Sequence, residues 1–176
     1  MKFSSHIAIA CLSAGALANV APRALSDFQT VLTTVQTDVD NLDSAINAFT
    51  GNTGPVQSAA TVLVSDINSG NSHLSGQPVL NLADTFTLNQ QVNTFKAHAK
   101  TLVNDIKAKR PTVIQTGNCA LVRSNIDSIN TAASALIQTI VSKADPAAKN
   151  IAQNQAKEIQ ATLDDGKAYY TVANCP

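Results

Sequence analysis

The stretch LSDFQTVLTTVQTDVDNLDSAINAF, residues 25–49, decides the fold. Its large apolar residues are Leu25, Phe28, Leu32, Val35, Val39, Leu42, Ile46 and Phe49, at successive steps of 3, 4, 3, 4, 3, 4 and 3. That spacing stacks them on one face of an α-helix, with Gln29, Thr33, Gln36, Asp40, Asp43 and Asn47 elsewhere around it. Such a helix, about 37 Å long, cannot bury its own stripe. At about 1.5–3 kcal/mol per buried large side chain, the seam demands partners from the rest of the chain.

Those partners follow in four further segments. Pro55, Pro78, Pro111 and Pro146 fall between apolar stripes without interrupting one. The first helix stops at Gly51-Asn52-Thr53-Gly54, residues that tolerate turns and left-handed backbone. A second, the shortest, runs from Pro55 with Val56, Ala60, Leu63, Ile67 and Leu74 in register, and is weakened from Gly70 to Gly76. A third opens on Thr87-Leu88-Asn89-Gln90, a capping-box pattern, carries Leu88, Val92, Phe95, Ala99, Leu102 and Ile106, and is expected to end at Arg110-Pro111. The fourth, with Val122, Ile126, Ile129, Ala133, Leu136 and Ile140 widened by Ile137 and Val141, has the broadest apolar face and reads as the most buried. A fifth takes Asp145 as its N-cap and Pro146 as its first residue, then Ala152, Ala156, Ile159, Leu163 and Tyr170. No segment alternates in the manner of a strand, so the fold is expected to be all-α: one domain, an antiparallel bundle of about five helices.

Residues 1–18 read as a leader and not as fold. Lys2 precedes a short apolar run, Ile7 to Leu17, and Ala16-Leu17-Ala18 has the small-x-small form of a signal-peptidase site, so the mature domain is expected to span 19–176. No later run is long and apolar enough for a transmembrane helix. Losing Lys2 leaves eleven basic against 12 acidic residues, a net charge of −1, which argues against nucleic acid or an anionic membrane as partner. Cys11 goes with the leader, so Cys119 and Cys175 are left to pair in an oxidising compartment; two cysteines without nearby histidines make no zinc site.

Only 14% of residues are charged, against about 25% usually. The polar faces are instead Asn, Gln, Ser and Thr, which are cheaper to desolvate against an apolar phase; a compositional habit of secreted proteins is the plainer explanation. Catalytic patterns are absent: there is no Gly-x-Ser-x-Gly elbow and no His-Glu-x-x-His. His73, beside Ser72 and Ser75, could pair with a serine, but adjacency in sequence does not orient a base, and His98 belongs at a solvent boundary. Neither an enzyme, a metal nor a cofactor is expected.

A leader, a Leu-x-x-Val-x-x-x-Val-x-x-Leu first helix (Leu32, Val35, Val39, Leu42) ending at Phe49-Thr50-Gly51, the junction Lys107-Ala108-Lys109-Arg110-Pro111 and the closing Tyr169-Tyr170 together resemble the fungal hydrophobic surface-binding and cell-wall galactomannoprotein family. The resemblance implies a secreted helical domain that binds hydrophobic surfaces or lipids, in some members fatty acids held inside the bundle. It gives no individual ligand contacts. Ending at Cys175-Pro176 without a Ser/Thr-rich stalk or hydrophobic tail, this sequence departs from wall-anchored members, and with no Asn-x-Ser/Thr sequon any mannosylation is expected to be O-linked.

Ala60, Ala99, Ala133, Ala152, Ala156 and Gly70 occupy seam positions opposite the large residues of the first helix. Small residues there remove volume from the axis, which predicts an elongated apolar cavity between the first, third, fourth and fifth helices, able to take one acyl chain. Its expected lining is Leu32, Val35, Val39, Leu42, Phe95, Leu102, Leu136, Ile140, Ile159 and Leu163. Among the cations Lys96, Lys100, Lys107, Lys109 and Arg110, Lys100 or Lys107 is the candidate carboxylate contact, although a neutral Gln, Ser or Thr serves as well. Phe28, Phe49, Phe86 and Phe95 read first as packing residues. The rival class is a secreted helical inhibitor or effector that binds another protein; that protein should be packed solid, with its chemistry on an outer face.

Overall fold

A computed structural model describes residues 20–176, with the side chains described from Ala24 onward; the expected leader, 1–18, lies outside the described residues. Five helices follow one another: α1 (Val20–Asn47), α2 (Gly54–Ser75), α3 (Leu82–Gln115), α4 (Cys119–Ser142) and α5 (Lys149–Tyr169). Of the seven seam residues within α1, six are buried and Leu25 packs at the margin of the same core; the eighth, Phe49, is buried just past the helix end. This makes α1, and not α4, the most buried helix.

The helices close into a ring. Around it the order is α1, α2, α4, α5, α3 and back to α1, and no helix occupies the centre. Direction alternates along the chain, but around the ring only α1–α2 and α4–α5 are antiparallel neighbours. The pairing of Gln91 with Thr33, His98 with Asp40 and Lys109 with the Asn47 carbonyl shows α1 and α3 running in parallel. Lys96 with Glu158 and Lys107 with Asp165 show the same for α3 and α5. Five axes about 10 Å from their neighbours stand about 8.5 Å from the ring centre, against about 7 Å for four, so small side chains leave the middle open.

Several boundaries differ from those expected. α3 begins five residues before Thr87 because Asn81 caps it: its Oδ1 accepts the Asp84 N–H at 2.9 Å and its amide donates to the Asp84 carboxylate at 2.7 Å. Thr87 is mid-helix, its hydroxyl bonded to the Ala83 carbonyl. Nor does Arg110-Pro111 end α3. Proline forfeits one backbone bond, but packing holds the last turn, where buried Val113 meets Phe49, Cys119, Tyr170 and Cys175. α5 starts at Lys149: Asp145 caps only a turn, accepting the Ala147 N–H at 2.8 Å. It is the shortest helix, by one residue from α2. Gly70 does not weaken α2; it is buried, and a Cβ there would lie 2.5 Å from Val31 Cγ1, so the glycine lets α2 close onto α1. It therefore serves that contact and removes nothing from the axis. At the α1–α2 turn Gly51 has φ +131°, as a chain reversal there requires.

One end of the bundle is sealed covalently. Cys119 and Cys175 are bonded, with Cα atoms 5.4 Å apart, and tie the C-terminal tail to the start of α4. Arg123 donates to the Tyr170 and Cys175 carbonyls at 2.9 and 2.5 Å, and the Tyr170 hydroxyl donates to the Ile106 carbonyl at 2.7 Å. Burial pushes the Tyr170 phenol up to about 12, with Arg110 opposing the rise. At the other end the two linkers are latched together. The Leu80 N–H donates to the Lys143 carbonyl at 2.8 Å, and the Lys143 ammonium holds the carbonyls of Ser75 and Gln77.

Candidate functional site: an axial cavity

All five helices and the α2–α3 linker face a cavity on the ring axis, of about 100 Å³. Nine of the ten expected lining residues stand on it: Leu32, Val35, Val39, Phe95, Leu102, Leu136, Ile140, Ile159 and Leu163. The tenth, Leu42, lines a second hollow of about 50 Å³ toward the disulfide end, which shares Ile129 with the first. Ala99, Ala133, Ala152 and Ala156 line the main cavity, and Ala60 the smaller one. Each removes the bulk that α1 supplies opposite.

The sequence reading left α2 off the axis, yet Leu63 and Ile67 line the cavity as well. Both lay in the α2 seam; the missing information was the ring order, which sets α2 between α1 and α4. The position of the mouth is likewise not readable from the seams. Phe86 and Ile151 line the cavity while remaining exposed, so they mark where it opens. Gln155, one turn beyond Ile151, and Asn89, one turn beyond Phe86, bring amides to the same region, with the Thr85 hydroxyl. The Oε1 of Gln155 is buried without a hydrogen-bond partner, an arrangement that leaves an acceptor to be satisfied by something else.

Among the described residues no charged side chain lines the main cavity. Lys100 is exposed and lines neither hollow, and Lys107 pairs with Asp165 and lies 5.4 Å from the centre of the Tyr169 ring. α3 turns these cations toward α5 and solvent, away from the cavity lining, and the polar groups at the mouth are neutral amides. Lys109 reaches the smaller hollow but donates to the Asn47 and Phe49 carbonyls. Charge is instead gathered between α1 and its neighbours. Asp38 is buried facing Asp66, and Asp43 faces Asp105; burial first, then the facing carboxylate, raises both above the usual carboxyl range. His98 meets Asp40 at 2.6 Å, and His73 lies 3.6 Å from Asp27. Ser72 and Ser75 donate to backbone carbonyls of their own helix, so neither is paired with His73. Among the described residues no group of three or more His, Cys, Asp or Glu is placed to hold a metal, and no helix is long and apolar enough to cross a membrane. Of the four phenylalanines among the described residues, Phe28 is core packing, Phe49 lines the smaller hollow, and Phe86 and Phe95 line the main one.

A closed ring of helices around an apolar hollow places the chain among the hollow all-helical bundles. It belongs to the hydrophobic surface binding protein A family, whose model matches residues 25–142. It is 25% identical over 171 residues to cell wall mannoprotein 1 of Aspergillus flavus, covering 97% of this chain and 63% of that protein. To cell wall mannoprotein 1 of Aspergillus fumigatus it is 26% identical over 137 residues, covering 77% and 48%. The chain thus spans about half to two thirds of the length of these relatives. Its fold is that of ligand binding domain 1 of the Penicillium marneffei MP1 protein, solved with arachidonic acids: TM-score 0.82, 19% identity, 85% of this chain and 100% of that one. AFMP4P, solved with palmitic acid, matches with TM-score 0.76 and 25% identity over 86% of this chain and 99% of that one.

Proposed function

We propose that this protein is a secreted, non-enzymatic binder of fatty acids and apolar surfaces that holds one acyl chain along the axis of its helical ring. The carrying observation is the cavity itself: apolar along its length, free of charge, built from all five helices and open beside Phe86 and Ile151. A chain lying there is assigned contacts with Leu32, Val35, Val39, Phe95, Leu102, Leu136, Ile140, Ile159 and Leu163, with Leu42 reached only by a chain that passes Ile129 into the smaller hollow. The polar head is assigned to the mouth. The Gln155 amide there can accept a hydrogen bond from a protonated carboxyl group or turn its N–H toward a carboxylate, and Asn89 can do the same. Complexes of MP1 with arachidonic acids and of AFMP4P with palmitic acid support the reading, as does the family's description as hydrophobic surface binding. The wall location of the mannoproteins supports an extracellular one here. The inhibitor or effector reading called for a solid bundle, and the hollow weighs against it.

Native mass spectrometry of the secreted protein before and after delipidation tests this. The expected result is a mass increment of one fatty acid that delipidation removes and added palmitate restores. A protein that neither carries nor takes up palmitate overturns the cavity reading.

A further inference from the structure

We propose that the mouth end of the bundle is also the docking surface, and that it seats on an electrically neutral lipid surface from which an acyl chain passes into the cavity. The inference rests on the cavity reading above and adds where and on what the protein lands. Among the described residues, four of the seven exposed large apolar side chains lie at this end: Val79 at 57% exposure, Leu82 at 42%, Phe86 at 47% and Ile151 at 39%. Leu82 and Phe86 are one turn apart on α3, and Val79 precedes them in the linker. Phe86 and Ile151 belong at once to the exposed collar and to the cavity wall, so apolar surface continues from outside to inside at these two residues, beside the amides of Asn89 and Gln155. A collar of that kind fits a partner that presents acyl chains, since exposed apolar area rimming an opening is stabilised only where both are covered together.

The charge pattern selects a neutral partner. Across 79–86 and 143–152 the charged residues are Asp84, Lys143, Asp145 and Lys149, two of each sign. Lys143 is already bonded to two carbonyls, and Asp84 to the Asn81 cap. Asp145 and Lys149 are left, one of each sign, so these two stretches carry no net charge to draw the end toward an anionic surface. The collar is also preformed. The Leu80 N–H holds the Lys143 carbonyl and the Asp145 N–H donates to the Thr85 hydroxyl at 3.1 Å, so both linkers stand fixed before contact. At the opposite end Ile114 and Val172 are exposed too, but they line neither the main cavity nor the smaller hollow.

The full secreted chain is mixed with phosphatidylcholine vesicles containing palmitate, and three quantities are read: vesicle association by flotation, the rate of palmitate extraction, and equilibrium binding of palmitate supplied as monomer. Val79→Asp/Leu82→Asp alters the collar without touching the cavity wall, and an aspartate at the first turn of α3 suits the helix N-terminus; Val79→Asp alone, in the linker, is the fallback for folding. Removing these apolar contacts is expected to lower vesicle association and extraction rate by about tenfold or more, while monomer binding stays unchanged. Raising the salt to about 1 M, where the Debye length is about 3 Å, leaves association of the unaltered chain in place. Ile114→Asp/Val172→Asp behaves as the unaltered chain. Collar variants that associate normally, an equal loss from the opposite-end variant, or a strong preference for anionic vesicles each overturn the docking proposal. Failure of monomer binding in the unaltered chain is a separate result, which overturns the cavity reading and with it the transfer step.

Discussion

Replacing Leu136 by Trp puts the cavity to its most direct test. Leu136 is buried on α4 and faces the hollow with Ile140 one turn further on. Burying a methylene contributes about 0.8 kcal/mol, so ten of them give around 8 kcal/mol before ordering costs, enough for micromolar binding. An indole projecting into a space of about 100 Å³ displaces a segment of the chain. Exclusion of four methylenes removes about 3 kcal/mol and weakens binding roughly 200-fold. Stability should respond far less. In a packed core an enlarged side chain costs about 1–3 kcal/mol, but here the added volume enters existing space, so the loss should stay below about 1 kcal/mol. Displacement of a fluorescent fatty acid by palmitate measures the first quantity and thermal unfolding by circular dichroism the second. Undiminished palmitate affinity in a folded Leu136→Trp variant would refute the placement of the ligand on the axis. Unfolding of the variant, in a protein that also fails to bind palmitate, would show the core to be solid.

Three further perturbations test the frame. Asp38→Asn should stabilise the fold at neutral pH by about 1 kcal/mol, read as a rise of about 2–4 °C in Tm. The sign follows from linkage: the folded state raises the Asp38 carboxyl above its ordinary 3.8, so its contribution is complete below that value and is lost as pH rises through the folded one. The amide mimics the protonated form, so the advantage must vanish in acid; an advantage that persists there contradicts the assignment. Reducing Cys119–Cys175, which closes a separation of 56 residues, should remove about 4 kcal/mol on the chain-entropy model, or about 8–16 °C of Tm, with the helices still formed below the transition. An unchanged Tm after complete reduction refutes it. Gly70→Ala should destabilise by about 1 kcal/mol, because overpacking against the stiff Val31 side chain outweighs a helix-propensity gain of similar size. Val31→Ala in the same chain should turn the alanine into a net gain, and simple additivity of the two would exclude the contact.

The seam of α1 was legible because it needs only local geometry: eight residues at strict 3–4 spacing have one common face whatever surrounds them. The cavity wall was legible for the same reason, since each helix must turn its seam inward and the alanines among those seams are visible as missing volume. Helix ends were harder to read. Thr87-Leu88-Asn89-Gln90 has capping form, yet Asn81 is the cap, and only the linker bonded to Lys143 shows why the chain turns there. Arg110-Pro111 reads as a stop, and what carries α3 past it is Val113 in a cluster assembled from the far ends of the chain. The surroundings of the lysines are not readable for a different reason: positions along α3 are readable, but which neighbour faces Lys100 and Lys107 depends on ring order, and that order is not a property of any one segment.

The ring order is also what turns an ordinary set of amphipathic helices into a hollow one. Three of the five neighbouring pairs, α1 with α3, α2 with α4 and α3 with α5, are not consecutive, so they run parallel and the linkers must skip across an end of the bundle. A chain of up-and-down neighbours would close around four helices and lay the fifth outside. Skipping brings all five onto the circumference, where no seam meets another face to face and every seam points at a shared axis. Large residues on all five would still fill that axis. Alanine at 99, 133, 152 and 156, on α3, α4 and α5, prevents it while α1 keeps its full seam. The hollow therefore results from unequal residue sizes around the ring, and its emptiness is offset by the contacts that α1 makes along its length.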